Sequence, residues 1–425
     1  MTSSDTLAYE ANEAYAVGQD QRDPLAGFRD RFHFPDAENG RKALYFAGNS
    51  LGLQPKSAQA YVQEVLNDWA QYAVEGHFKA EHPWMPYHEF VTPTLSDLVG
   101  ALPTEVVAMN SLTVNLHLLM VSFYRPTQTR YKILMEENAF PSDRYALESQ
   151  LKFHGIDPQD GLLVAKARKG ETTLRTEDIE ALIHENRDSL ATVLIGGVNY
   201  YTGQFFELER ITQAAHEADA LMGVDLAHGI GNVPLQLHNW GVDFAAWCTY
   251  KYLNAGPGAT AGIYVHERHA AADLPRFHGW WGQDKASRFL MGPEFQPIQG
   301  AEAWQLSNPA ILPLATLRAS LDIFQEATFP ALRQKSEALT GYLEFLVNAI
   351  ETDRISIITP SDPAQRGAQI SLRVAGADKS LYHTLGDQGV ICDWREPDTI
   401  RLAPVPLYNR FMDVYQFVEL LKNAL

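Results

Sequence analysis

Between about residues 104 and 266 the chain alternates short apolar runs with segments that carry a helical stripe. Residues 105–109, 132–135, 191–198, 221–225, 244–247 and 262–266 have strand length, and 112–122, 142–153 and 208–218 have helical spacing. Strands that are apolar on both faces, separated by helices, form a mostly parallel sheet covered on both sides. Before this block a helix is predicted from Ser57, where Val62, Val65, Leu66 and Trp69 make one stripe, and another reaches Gly100. After Pro309 the character changes. Leu314, Leu317, Leu321 and Phe324 mark a long helix, and a second covers 330–350. Short strands follow at 355–358, 368–374, 390–393 and 399–402, then a helix from 409 to the end. The expected organisation is α/β: a large domain over 57–310, a smaller α+β domain over 311–425, and an N-terminal arm, 1–56, that joins the small domain.

Composition narrows the class. The 425 residues are 46% apolar and 20% charged, which is ordinary for a folded chain. A net charge of −18 argues against nucleic acid or an anionic membrane as partner, and no apolar run reaches the roughly 18 residues of a membrane span. Cys248 and Cys392 are too few for a disulfide framework or a four-cysteine zinc site. Residues 1–20 are polar and acidic, unlike a signal or transit peptide. The expectation is a cytoplasmic enzyme without a metal.

Two residues carry most of the chemistry. Asp225 closes the apolar run 220–224, which puts a carboxylate at the carboxyl end of a buried strand, where open α/β sheets bind ligands. Lys251 follows the apolar run 244–250 and precedes Gly256-Pro257-Gly258. An amine there is partly desolvated, as a Schiff-base lysine must be. Together they suggest pyridoxal phosphate, with Lys251 binding its aldehyde and Asp225 holding the ring nitrogen protonated. A solvated lysine and a turn-capping aspartate would give the same sequence. Asn110-Ser111-Leu112-Thr113, between strand and helix, offers amides and hydroxyls to a phosphate, or an ordinary N-cap at Ser111. Phe140, in Phe140-Pro141-Ser142-Asp143, could stack on a flat ring or staple a helix that begins at Ser142. Trp280 lies among glycines, Asn308 before a helix, and Arg401 beside a rigid Pro404-Val405-Pro406, where a guanidinium could clamp a carboxylate or pair at the surface.

Other patterns fit their motifs less well. Gly48-Asn49-Ser50-Leu51-Gly52 matches a nucleophile elbow, but Gln54-Pro55 follows where a helix should start. His266 and His269 are three apart, not four as a zinc helix requires. Gly229-Ile230-Gly231-Asn232-Val233-Pro234 ends in proline where a dinucleotide fingerprint needs glycine or alanine.

Taken in order, these stretches resemble the kynureninase family of fold-type-I pyridoxal phosphate enzymes. The resemblance rests on 48–52, 110–117, 140–143, Tyr201-Thr202-Gly203-Gln204, Asp225-Leu226-Ala227-His228, 250–258, Ser307-Asn308-Pro309 and 401–409, so it spans about residues 45–410. It implies that Lys251 is the Schiff-base lysine and Asp225 the ring-nitrogen partner, with His228 beside it. It implies that Leu112, Thr113 and Tyr250 contact the cofactor phosphate, that Phe140 stacks on the ring, and that Asp143 makes a further cofactor contact. Trp280 and Asn308 match contacts given by a neighbouring subunit, which implies a homodimer with shared sites. Arg401 matches the substrate-carboxylate clamp. Gly196 stands where some relatives carry serine.

The implied reaction is hydrolysis of L-kynurenine, or 3-hydroxy-L-kynurenine, to anthranilate or 3-hydroxyanthranilate and L-alanine, a step of tryptophan breakdown and NAD biosynthesis. Tyr250 is a candidate proton relay near the γ-carbonyl. His77, Ser307 and Asn308 resemble the pattern that meets a 3-hydroxyl, which favours 3-hydroxykynurenine. Two alternatives remain open at this point: a cysteine desulfurase-like enzyme, although Tyr250 rather than histidine precedes the lysine, and a serine hydrolase using Ser50.

Overall fold

The structure, a computed structural model, describes residues 9–38 and 40–425. Residues 1–8 of the expected arm lie outside the described residues.

Seven strands form the central sheet, in the spatial order Val106–Ala108, Gly262–Val265, Phe244–Trp247, Leu221–Asp225, Leu190–Gly196, Lys132–Glu136, Leu162–Ala165. The last five are mutually parallel, and Gly262–Val265 runs antiparallel to both its neighbours. Successive side chains point to opposite faces, and each face meets helices. Ile133 and Met135 share a core with Leu116, Leu119, Leu147 and Leu151, whereas Leu134, Val193 and Val224 share one with Ile179, Ile183 and Ile211. This is the mostly parallel, doubly covered α/β sheet expected from the apolar runs. Leu162–Ala165 was not among the predicted strands. It is a four-residue edge strand whose first three residues are only partly buried, so it lacks the strong apolar signature of the interior ones. The helix Thr176–Glu185 was missed too.

Helix ends follow local chemistry. Thr92–Val99 stops at Gly100, whose φ of 62° is left-handed, and a Cβ there would press on the Leu235 carbonyl.

A second sheet is fully antiparallel, in the order Asp393–Arg395, Thr399–Leu402, Ile370–Val374, Ile355–Ile357. The run expected as one strand over 390–393 divides. Val390–Ile391 pairs in parallel with Leu44–Tyr45 of the arm, and Asp393–Arg395 joins the second sheet. Helices Phe329–Asn348, Lys379–Asp387 and Phe411–Ala424 contribute buried side chains to this second core. The arm helix Glu13–Arg22 packs on Phe411–Ala424, and Asp20 Oδ1 accepts from the Phe411 amide at 2.7 Å. The helix Ile311–Ala327 differs from its expected place in the small domain. Leu314, Leu317, Leu321 and Phe324 bury against the core of the large sheet, and the helix lies on Ala58–Tyr72. Its apolar stripe was legible, but the face that receives it was not.

Candidate active site

The carboxyl ends of the parallel strands open on a cavity of about 190 Å³. Asp225 ends the strand Leu221–Asp225, flanked in register by Gly196 and Ala246, and is 6% exposed. Its Oδ1 accepts from the Ala227 amide at 2.6 Å. The next turn carries His228. Lys251, just past the strand Phe244–Trp247, brings Nζ to 3.1 Å from His228 Nε2. Both side chains are buried.

Three buried carboxylates line this wall: Glu136, Asp143 and Asp225. Burial raises the affinity of each for a proton. At Asp143, burial and then the neighbouring Asp225 hold the carboxyl well above its usual value. Asp225 is also pushed up by burial, opposed by the Ala227 amide, Lys251 and Asp143. Burial pushes Glu136 up to about 7, and its Oε1 accepts from the Gly196 amide at 3.1 Å. A serine at 196 would bring its Cβ to 3.0 Å from that oxygen, so glycine leaves room for the Glu136 carboxyl.

Two helix starts also border the cavity. Leu112–Phe123 and Pro141–Phe153 bring Leu112, Thr113, Phe140 and Ser142 to the cavity. Ser111 is the N-cap position, yet its side chain makes no capping bond, so the cap alternative fails. The helix expected to start at a capped Ser142 begins at Pro141, and the Ser142 hydroxyl meets that of Thr113 at 2.8 Å. Phe140, 46% exposed, turns its ring toward Lys251, whose Nζ is 5.7 Å from the centroid. Tyr250 borders the same space, its phenol held protonated chiefly by burial.

These residues fit pyridoxal phosphate. An amine sits among buried acids that match a cationic ring nitrogen. An exposed aromatic face lies beside it, and two helix amino ends bearing hydroxyls match a phosphate. His228 supplies an independent sign. Its Nε2 accepts from Lys251, which leaves the proton on Nδ1, a buried group with no partner among the described residues. Burial, then Lys251, keeps the imidazole neutral.

Glu136, Ser142 and Tyr200 also line the cavity and were not singled out from sequence. Glu136 was hidden at the end of an apolar run, and Ser142 was read only as a cap. Of the remaining predicted residues, Ser307 and Asn308 line a neighbouring cavity of about 420 Å³ that shares Ser111 with the first. Trp280 and His77 lie apart from both within one chain. The Trp280 indole donates to the Arg288 carbonyl at 3.2 Å, and His77 packs edge-on to Trp84. Arg401 stands behind Tyr200, with its guanidinium 5.6 Å from that ring.

The discarded motifs have other work. The Ser50 hydroxyl donates to Asp393 Oδ2 at 2.6 Å, not to an imidazole. Cys248 is buried with its thiol pushed up by burial, the reverse of a reactive sulfur. His266 and His269 face the buried carboxylates of Glu105 and Asp243.

Residues 332–421 match the family model of the kynureninase C-terminal domain. The chain is 57% identical over 416 residues to the kynureninase of Myxococcus xanthus (strain DK1622), covering 98% of each. It is 55% identical over 413 residues to that of Koribacter versatilis (strain Ellin345), covering 97% of each. Among solved structures it is similar to a C-DES mutant with glycine covalently linked to its PLP cofactor. There the TM-score is 0.76 at 16% identity, over 89% of this chain and 96% of that one. It is also similar to the cysteine desulfurase CsdA from Escherichia coli, with TM-score 0.76 at 17% identity, over 94% and 98%. At such identities the likeness concerns the fold.

Proposed function

This chain belongs to the kynureninase family, and on that premise we propose that it hydrolyses the Cβ–Cγ bond of L-kynurenine or 3-hydroxy-L-kynurenine with pyridoxal phosphate bound at Lys251. The products are L-alanine and anthranilate or 3-hydroxyanthranilate. One observation carries the reading at the site: the Lys251 amine, buried beside His228, faces a wall of three carboxylates in a cavity of about 190 Å³.

Lys251 would give the amine that binds the cofactor aldehyde, and Asp225 would pair with the ring nitrogen. Phe140 would stack on the ring, Leu112, Thr113 and Tyr250, joined by Ser142, would hold the phosphate, and His228 would stand beside the cofactor. When bound, the cofactor supplies the electron sink for a carbanion next to the substrate nitrogen. Lys251 Nζ moves the proton at the substrate Cα, and His228 Nε2, 3.1 Å away, keeps that amine oriented. Tyr250, protonated because it is buried, has a proton to lend near the γ-carbonyl. Arg401 holds the substrate carboxylate.

Trp280 and Asn308 belong to this reading as groups given to the site of a second copy, so the working unit is a homodimer. Trp280 and Asn308 meet the cofactor, and His77, Ser307 and Asn308 meet the substrate ring, which favours the 3-hydroxylated substrate. The division into 1–56, 57–310 and 311–425 is kept, with the first helix of the last part serving the large core. No helix among the described residues is long and apolar enough to cross a membrane, and we place the enzyme in the cytoplasm.

Incubating the holoenzyme with each kynurenine, while following anthranilate-type fluorescence and alanine, tests the reading. Turnover of either substrate is expected, with the higher kcat/KM for 3-hydroxykynurenine. No alanine from either would overturn the activity, and a clear preference for kynurenine would overturn only the ring assignment.

A further inference from the structure

The geometry points to Asp393 as a built-in stand-in for the substrate carboxylate, resting on Arg401 until substrate arrives and then passing to Arg395. This inference rests on the reading of Arg401 as the carboxylate clamp and deepens it.

Arg401 is 1% exposed. A buried guanidinium without a counter-charge is costly, so something must hold it in the resting protein. Asp393 is directly opposite it across the antiparallel pair Asp393–Arg395 and Thr399–Leu402. The register thus delivers a carboxylate to Arg401 Nη2, and the two groups are in ion-pair contact. The same Asp393 oxygen, Oδ2, also accepts from Ser50 Oγ at 2.6 Å and from Arg395 Nη2 at 3.0 Å.

The rest of the guanidinium shows what is missing. Arg401 Nη1 donates to the Tyr200 carbonyl at 2.5 Å, but its Nε is buried with no partner among the described residues. Nε and Nη2 together form the edge that receives a carboxylate bidentately. An incoming carboxylate seated on that edge would satisfy Nε and claim Nη2, the nitrogen Asp393 now holds. Arg395, 35% exposed at its side chain and with its own Nε unpaired, gives Asp393 somewhere to remain. The charges agree: two guanidiniums and one carboxylate leave +1, which one substrate carboxylate neutralises. The cluster borders the cavity through Tyr200, whose ring meets Phe140 edge-on at 5.4 Å.

The test is steady-state kinetics of the holoenzyme with L-kynurenine, with benzoate as a competing simple carboxylate. Asp393→Asn removes the competitor, so KM and the benzoate inhibition constant should both fall about threefold to tenfold while kcat changes less. Arg395→Gln, at a more exposed site, should raise both, because Asp393 then has only Arg401. The double variant should match Asp393→Asn alone, a non-additive pair, because Arg395 acts only through Asp393. A rise in KM for Asp393→Asn, or additive effects of the two changes, would overturn the stand-in role. If Asp393→Asn does not fold, an unchanged KM in Arg395→Gln overturns it alone. Arg401→Gln separates the two levels. If it leaves KM and benzoate inhibition unchanged, the clamp itself is wrong. If it raises both while Asp393→Asn does too, only the present inference fails.

Discussion

The hydroxyls of Thr113 and Ser142 meet 2.8 Å apart, each in the first turn of a different helix bordering the same cavity. Two helix amino ends converging through hydroxyls favour a dianion. Thr113→Val and Ser142→Ala should each weaken cofactor binding about tenfold, since a hydrogen bond to a charged group contributes roughly 1.5–3 kcal/mol. Titrating stripped protein with pyridoxal phosphate, followed by absorbance, measures this. Unchanged dissociation constants would place the phosphate elsewhere.

Lys251 is the amine facing the ring site. Lys251→Ala should lower turnover by about a thousandfold or more, within the range of proton-transfer and covalent contributions. Borohydride reduction of the wild-type holoenzyme should fix the cofactor's mass on the peptide containing residue 251. A label on another lysine would refute the assignment.

Glu136 links the site to pH. Its carboxyl is pushed up to about 7 from an ordinary 4.5. Between those values the folded chain keeps a proton that the unfolded chain has lost, so stability falls as pH rises. The contribution is complete below about 4.5 and gone above about 7, and it amounts to at most about 3 kcal/mol. Urea midpoints of cofactor-free wild type, compared with Glu136→Gln, should diverge across that window. Parallel curves would mean that Glu136 is ionised throughout.

The proposed sharing of sites between two copies predicts complementation. Chains carrying Lys251→Ala, co-expressed with chains carrying Trp280→Ala and Asn308→Ala, should regain about a quarter of wild-type activity. Half of random dimers are mixed, and each then holds one intact site. No recovery beyond the sum of the separate variants would confine each site to one chain.

Much of this was legible in sequence because it follows from simple periodicities. The interior strands announced themselves as apolar on both faces, and Asp225 and Lys251 stood out as charges at the ends of such runs. What stayed hidden depends on long-range pairing. Nothing local says that Gly262–Val265 runs antiparallel or that Asp393 faces Arg401. Glu136 looked like the polar end of a strand, and only its enclosure with Asp143 and Asp225 turns it into a group that titrates near neutrality.

The antiparallel return of Gly262–Val265 has a mechanical consequence. It ties the Asn110 turn to the segment that follows Lys251, through the Met109 amide to the Ala261 carbonyl and the Ala261 amide to the Asn110 carbonyl, both at 2.9 Å. The helix start after Asn110 and the segment after Lys251 are thereby splinted to one seam. For the proposed cofactor site, a backbone lesion at Ala261, which lines neither cavity, should loosen both ends at once.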